Sequence, residues 1–187
     1  MAGILKVDKY QDFNGNDIMT SDGSGNLTLN NSALKMTPAF HVNLSSNQSV
    51  SDNVATKVEF DREVFDTNSA YDNSTNYRFT VPSGQAGKYH FYFNILTAST
   101  ALSGADQVLG SFYLNGSSRG LFYGADARSN PGTKFTSYGI ITLDLSVGDY
   151  VEVYGTVNYN SGAGNISSGG TSRPDESCFG GYKLIGV

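Results

Sequence analysis

The chain has 187 residues, of which 16% are charged, and a net charge of −5. No basic run exceeds two residues, which excludes the cationic face that phosphate neutralisation needs, so nucleic acid is not expected as a partner. No apolar stretch is long enough to cross a membrane as a helix, and Met1–Asp8 carries no signal-peptide core, so the chain is expected to be made in a cytoplasm without membrane insertion.

Residues 1–35 read as a separate arm. Short strands are expected at Ile4–Val7, Asp17–Thr20 and Asn26–Leu29, with hairpin turns at Asn14-Gly15-Asn16 and Asp22-Gly23-Ser24-Gly25. Its few larger apolar residues cannot make a core alone, so other chains must order it. Asp12, Asn14, Asn16 and Asp17 offer oxygen atoms, but without the spacing and sixth-position glycine of a calcium loop.

From Met36 onward strands follow one another and no amphipathic helix can be read. Candidates are Ala39–Leu44, Val54–Phe60, Tyr77–Val81, Lys88–Leu96, Val108–Leu114, Tyr138–Leu145, Tyr150–Tyr159 and Phe179–Ile185. Two show the alternation of a half-buried strand most clearly. Tyr89, Phe91, Phe93 and Ile95 fall on one face, against Lys88, His90 and Asn94. Val151, Val153, Gly155, Val157 and Tyr159 fall on one face, against Tyr150, Glu152 and Tyr154. Eight or more antiparallel strands in two sheets predict a jelly-roll sandwich. Asn160–Ser172 is a small-residue loop before the last strand, either a recognition loop or a spacer.

Chemistry is scarce. Gly116-Ser117-Ser118-Arg119-Gly120 has the spacing of a nucleophile elbow, but Leu121-Phe122-Tyr123 continues as strand where that motif needs a helix, so a hairpin turn is predicted. His41 and His90 are the only histidines and neither has a partner at metal-ligand spacing. Asp61, Glu63, Asp66 and Asp72 are carboxylates without an identifiable acid–base pair. Cys178 is the only cysteine, expected to be a buried, inert thiol. The Asn-x-Ser/Thr sequons follow from Asn-rich loops in a chain expected to stay in the cytoplasm.

Several of these residues together resemble the C1q-like family, the globular head of complement C1q, whose jelly roll is shared with tumour necrosis factor. Phe60, Asp66 and Tyr71 match that family's spacing, and Gly87, Tyr89, Phe91 and Phe93 match without a gap. Tyr71 to Phe79 is one residue longer than the pattern, and Phe79 to Gly87 two longer, both in loop-like stretches. Leu114-Asn115-Gly116, Leu143–Val151 and Ser177–Leu184 resemble its hairpin, its strand pair and its closing strand. The similarity spans Met36 to Val187, the head.

The resemblance implies an all-β antiparallel jelly roll forming a closed homotrimer, with no cofactor. It leaves open only a calcium ion near the axis. Tyr89, Phe91, Tyr92, Phe93, Phe112, Tyr113, Tyr154, Phe179 and Tyr182 are the aromatics expected to hold core and trimer together. Tyr92, Tyr113 and Tyr154 are expected to be covered by neighbouring protomers, because each shares a strand with inward-facing residues. Residues 18–29 resemble the amino-terminal arms of bacteriophage virion proteins. The reading that follows is a non-enzymatic virion protein attached through residues 1–35, either a capsid decoration or a short fibre that meets host surface carbohydrate. A bacterial extracellular adhesin or signalling ligand is the alternative, and a glycan-cleaving enzyme using Asp66 or Glu63 the third.

Overall fold

Turn chemistry sets the arm. The computed structural model describes residues 7–30, 38–99, 105–126, 134–159, 164–169 and 176–185. Its first three strands, β1 (Lys9–Gln11), β2 (Asp17–Ser21) and β3 (Leu27–Leu29), form an antiparallel sheet in chain order. Both connecting turns have the same build. Asp12 accepts from the backbone N–H groups of Asn14 and Asn16 and from the Asn16 amide. Asp22 accepts from those of Ser24 and Asn26 and from the Asn26 amide. Three residues after each aspartate, Gly15 and Gly25 take φ of 82° and 94°, the left-handed region where a side chain is strained. Of the expected strand Ile4–Val7, Val7 is in no strand and β1 begins at Lys9, while residues 4–6 lie outside the described residues. The 35/36 boundary between arm and head also falls outside them.

The head holds thirteen further strands among the described residues. β4 (Ala39–Asn43), β5 (Gln48–Val50), β6 (Thr56–Lys57), β7 (Arg62–Asp66), β8 (Tyr71–Asp72) and β9 (Arg78–Thr80) are short. β10 (Gly87–Ser99), β11 (Ala105–Leu114), β12 (Ser117–Asp126), β13 (Lys134–Leu145) and β14 (Tyr150–Tyr159) are long, and β15 (Gly164–Ile166) and β16 (Cys178–Lys183) close the order. One sheet runs β5-β15-β10-β16-β4-β7, with β13 on the other edge of β10. The second runs β12-β11-β14-β9-β8, with β6 also on β14. All pairings are antiparallel, as a jelly roll requires.

The core between the sheets is aromatic. Phe179 packs on Phe40 (centroids 5.0 Å), Tyr71, Phe60, Phe91 and Phe112, and so links strands from both sheets. Phe93 packs edge-on against Phe112 and Phe122 because Gly110 leaves space: a Cβ there would stand 2.2 Å from the Phe93 ring.

Three departures from the sequence reading have local causes. Of Val54–Phe60 the strand proper is Thr56–Lys57, extended by one bond from the Val58 N–H to the Val153 carbonyl, and Val58 and Phe60 are fully buried in the core. β12 starts earlier than a Gly-Ser-Ser-Arg-Gly loop would allow, because the turn needs only Asn115 and Gly116 and Leu114 already pairs with Ser117. Within the expected loop Asn160–Ser172, Gly164–Ile166 is a strand between β10 and β5, anchored by fully buried Ile166.

Candidate functional site

The turns that carry family-like residues are structural. Asn115 donates to Asp149 (2.8 Å) and accepts from the Tyr150 N–H (2.9 Å), which locks the Asn-Gly hairpin to the Gly-Asp turn. Ser118 lies on β12, hydrogen-bonded to Ser111 at 2.9 Å, so it is not a nucleophile on an elbow. Asp61 caps Ser45 and Asp66 caps the Tyr71 N–H (2.7 Å). Asp72 caps Ser74, Thr75 and Asn76, and the Thr75 and Ser74 N–H groups hold its carboxyl well below the usual range. Glu63 stands exposed. Among the described residues no three His, Cys, Asp or Glu side chains are grouped to hold a metal ion. A shallow cleft of about 360 Å³ beside Asn68, Tyr71, Asp72 and Pro82 brings no acid and base together. Cys178 is half-buried at the start of β16 rather than enclosed, because it alternates with core Phe179 and so faces outward.

What remains is surface, and it has two sides. The expected aromatics divide into three groups. Tyr89, Phe91, Phe93, Phe112 and Phe179 are core, none more than 2% exposed. The Tyr89 hydroxyl donates to the Gln85 carbonyl (2.6 Å), and burial pushes its pKa up to about 12.

Tyr92 and Tyr182 are half-buried on the outer face of the β10 sheet. Register places Ile140, Tyr92, Gly180, His41 and Phe65 in one row across β13, β10, β16, β4 and β7. A Cβ at Gly180 would meet the Tyr92 hydroxyl at 2.4 Å, so glycine lets the ring lie across β16 and reach His41 Nδ1 at 2.9 Å. His41 also stacks on Phe65, and His90 packs on Tyr182 and hydrogen-bonds Thr142. Around this row Tyr138 is 72% exposed, Ile140 63% and Phe65 46%. The histidines therefore belong to an apolar, aromatic face.

Tyr113 and Tyr154 stack on each other, centroids 4.0 Å apart, on the outer face of the β11 sheet. Beside them Arg78 lies over Tyr150 and Lys57 pairs with Glu152 at 2.5 Å. Exposed Leu121 and Tyr123 continue this surface. Tyr92 thus points away from the opposite side of the sandwich to Tyr113 and Tyr154, because β10 belongs to one sheet and β11 and β14 to the other. Alternation alone could not assign strands to sheets.

The C1q domain family model matches residues 39–184. The globular domain of zebrafish complement 1qA is similar in fold, with a TM-score of 0.56 at 16% identity, covering 80% of this chain and 98% of that one. Eiger, a tumour necrosis factor of S. frugiperda, gives 0.53 at 15% identity over 80% and 93% of the two chains. Murine APRIL at pH 5.0 gives 0.50 at 15% identity over 78% and 98%. At these identities the likeness is one of fold. No curated protein matches the chain.

Proposed function

The chain belongs to the C1q domain family, and from that premise we propose that it is a non-enzymatic, trimeric structural protein displayed on a bacteriophage particle. Domains of this family and of the tumour necrosis factor group form homotrimers that bind receptors or ligands, and they are generally not enzymes. The observation that carries the trimer here is the outer face of the β10 sheet. Ile140, Tyr138 and Phe65 leave an apolar patch that a lone soluble protomer would expose to water. A threefold contact buries it. The face of the β11 sheet then stays outward, and its tyrosines offer rigid stacking area with hydroxyl rims, suited to host surface carbohydrate.

Support for the particle comes from the arm, whose sequence resembles virion arms and whose Phe13, at a turn tip, is fully exposed. In this reading Phe13 anchors the protein on its virion partner. Gold-coupled antibody against the head, applied to purified particles from the source of the sequence, should mark their surface. Unlabelled particles would refute virion display. A secreted adhesin or signalling ligand is the second reading, favoured by the outward tyrosines alone; it predicts label on cell surfaces or in medium instead.

A further inference from the structure

The arm sheet has one finished face and one unfinished face. On the finished face Lys9 and Gln11 both donate to Asp17 (2.8 and 2.7 Å), with Thr20 opposite Lys9 and Thr28 opposite Thr20. On the other, Tyr10, Met19 and Leu29 stand in register across the three strands, and Leu27 lies beside Leu29 on the same side. Tyr10 is 46% exposed and Leu27 64%. A three-stranded sheet of this size is marginal unless such a face is covered.

We propose that the face is covered by the same face of two further copies of the chain, so that three arms close into a triangular prism with Tyr10, Met19, Leu27 and Leu29 at its axis. This rests on the trimeric reading of the head. Each chain contributes one arm, and a trimeric head holds three arms at an effective concentration in the millimolar range, which an outside partner must compete against. Among the paired residues of β1–β3 the apolar face holds no charge, Asp8 standing at its edge opposite Ser21, and the Lys9–Asp17 pair is turned outward. Each side is about 14 Å wide, three strands at the usual spacing, narrow enough for four apolar side chains per chain to fill the middle. The opposite faces, where Ile18 is 43% exposed beside the polar residues, and the Phe13 tips are then left for the virion.

The test uses the full chain, with hydrogen exchange read on peptides spanning residues 9–29 and mass read by light scattering. Expected are a wild-type trimer whose arm amides exchange at least tenfold more slowly than an unstructured peptide, loss of that protection in Leu29→Asp with the trimer kept, and retention of it in Thr28→Asp on the finished face. A trimer with an unprotected wild-type arm, or with protection surviving Leu29→Asp, overturns the prism alone. A monomeric wild-type chain overturns the head trimer and the prism with it.

Discussion

The turn at Asp72–Asn76 in the head uses the chemistry of the two turns in the arm: an aspartate takes backbone N–H groups two to four residues on and the side-chain amide of an asparagine four residues on. In the head that turn joins β8 to β9 above a core of Phe40, Tyr71, Phe79 and Phe179. In the arm the same clamp joins the strands of one three-stranded sheet. Turn chemistry thus fixes register in both regions, but among the described residues it is the head that packs two sheets on each other. Stability within one protomer should therefore reside wholly in the head, and the arm should follow assembly.

The largest effect that would break this comparison comes from the core. Phe179→Ala should cost about 3–5 kcal/mol in urea unfolding, since it empties a site shared by both sheets; a cost near zero would mean the aromatic cluster does not hold the sandwich. Next is Lys57→Met, which strands the buried Glu152 carboxylate, with 5% of its side chain exposed, and should cost about 3 kcal/mol. Lys57→Met combined with Glu152→Gln should recover much of that loss. If the double variant is no more stable than the single one, the pair is not the cause.

A finer contrast lies between two buried tyrosines. The Tyr89 hydroxyl has a partner, so Tyr89→Phe should lower stability by about 1 kcal/mol. The Tyr71 hydroxyl is buried with no hydrogen-bond partner among the described residues, so Tyr71→Phe should cost nothing or stabilise. Equal losses at both positions would contradict this account of the core. The smallest effect is expected in the arm, where Asp12→Ala should leave the thermal midpoint of the head unchanged by calorimetry. Hydrogen bonds within their turns, chiefly from Asn16 and Asn26, hold the Asp12 and Asp22 carboxyls below the usual range, so they favour order above about pH 4 and lose that contribution as pH falls through their folded values. Arm protection in hydrogen exchange should therefore fall with acid before the head unfolds. An arm unchanged down to pH 2 would show the clamps to be incidental.

Much of the head was legible because its strands alternate strongly. Tyr150–Tyr159 has the bounds predicted, and the inward set Tyr89, Phe91, Phe93 and Ile95 is buried as read. Short strands such as β5 and β15 were not legible, because three residues give no period and Gly164–Ile166 sits among loop-forming residues. The outer faces were only half legible. Period two tells that Tyr92 and Tyr154 point outward, but the assignment of β10 and β14 to different sheets depends on pairing over long sequence distances. Nor does any local signal reveal that Gly180 makes room for Tyr92 to reach His41, a contact that requires β16 beside β10.

Light scattering on three full-length chains at micromolar concentration tests most directly which face assembles the head. Wild type and Tyr123→Glu, changed on the outer face of the β11 sheet, should both give three times the 20.0 kDa chain mass, whereas Ile140→Glu, changed on the β10 sheet, should give one. A monomeric wild type, a trimeric Ile140→Glu or a monomeric Tyr123→Glu would contradict the account.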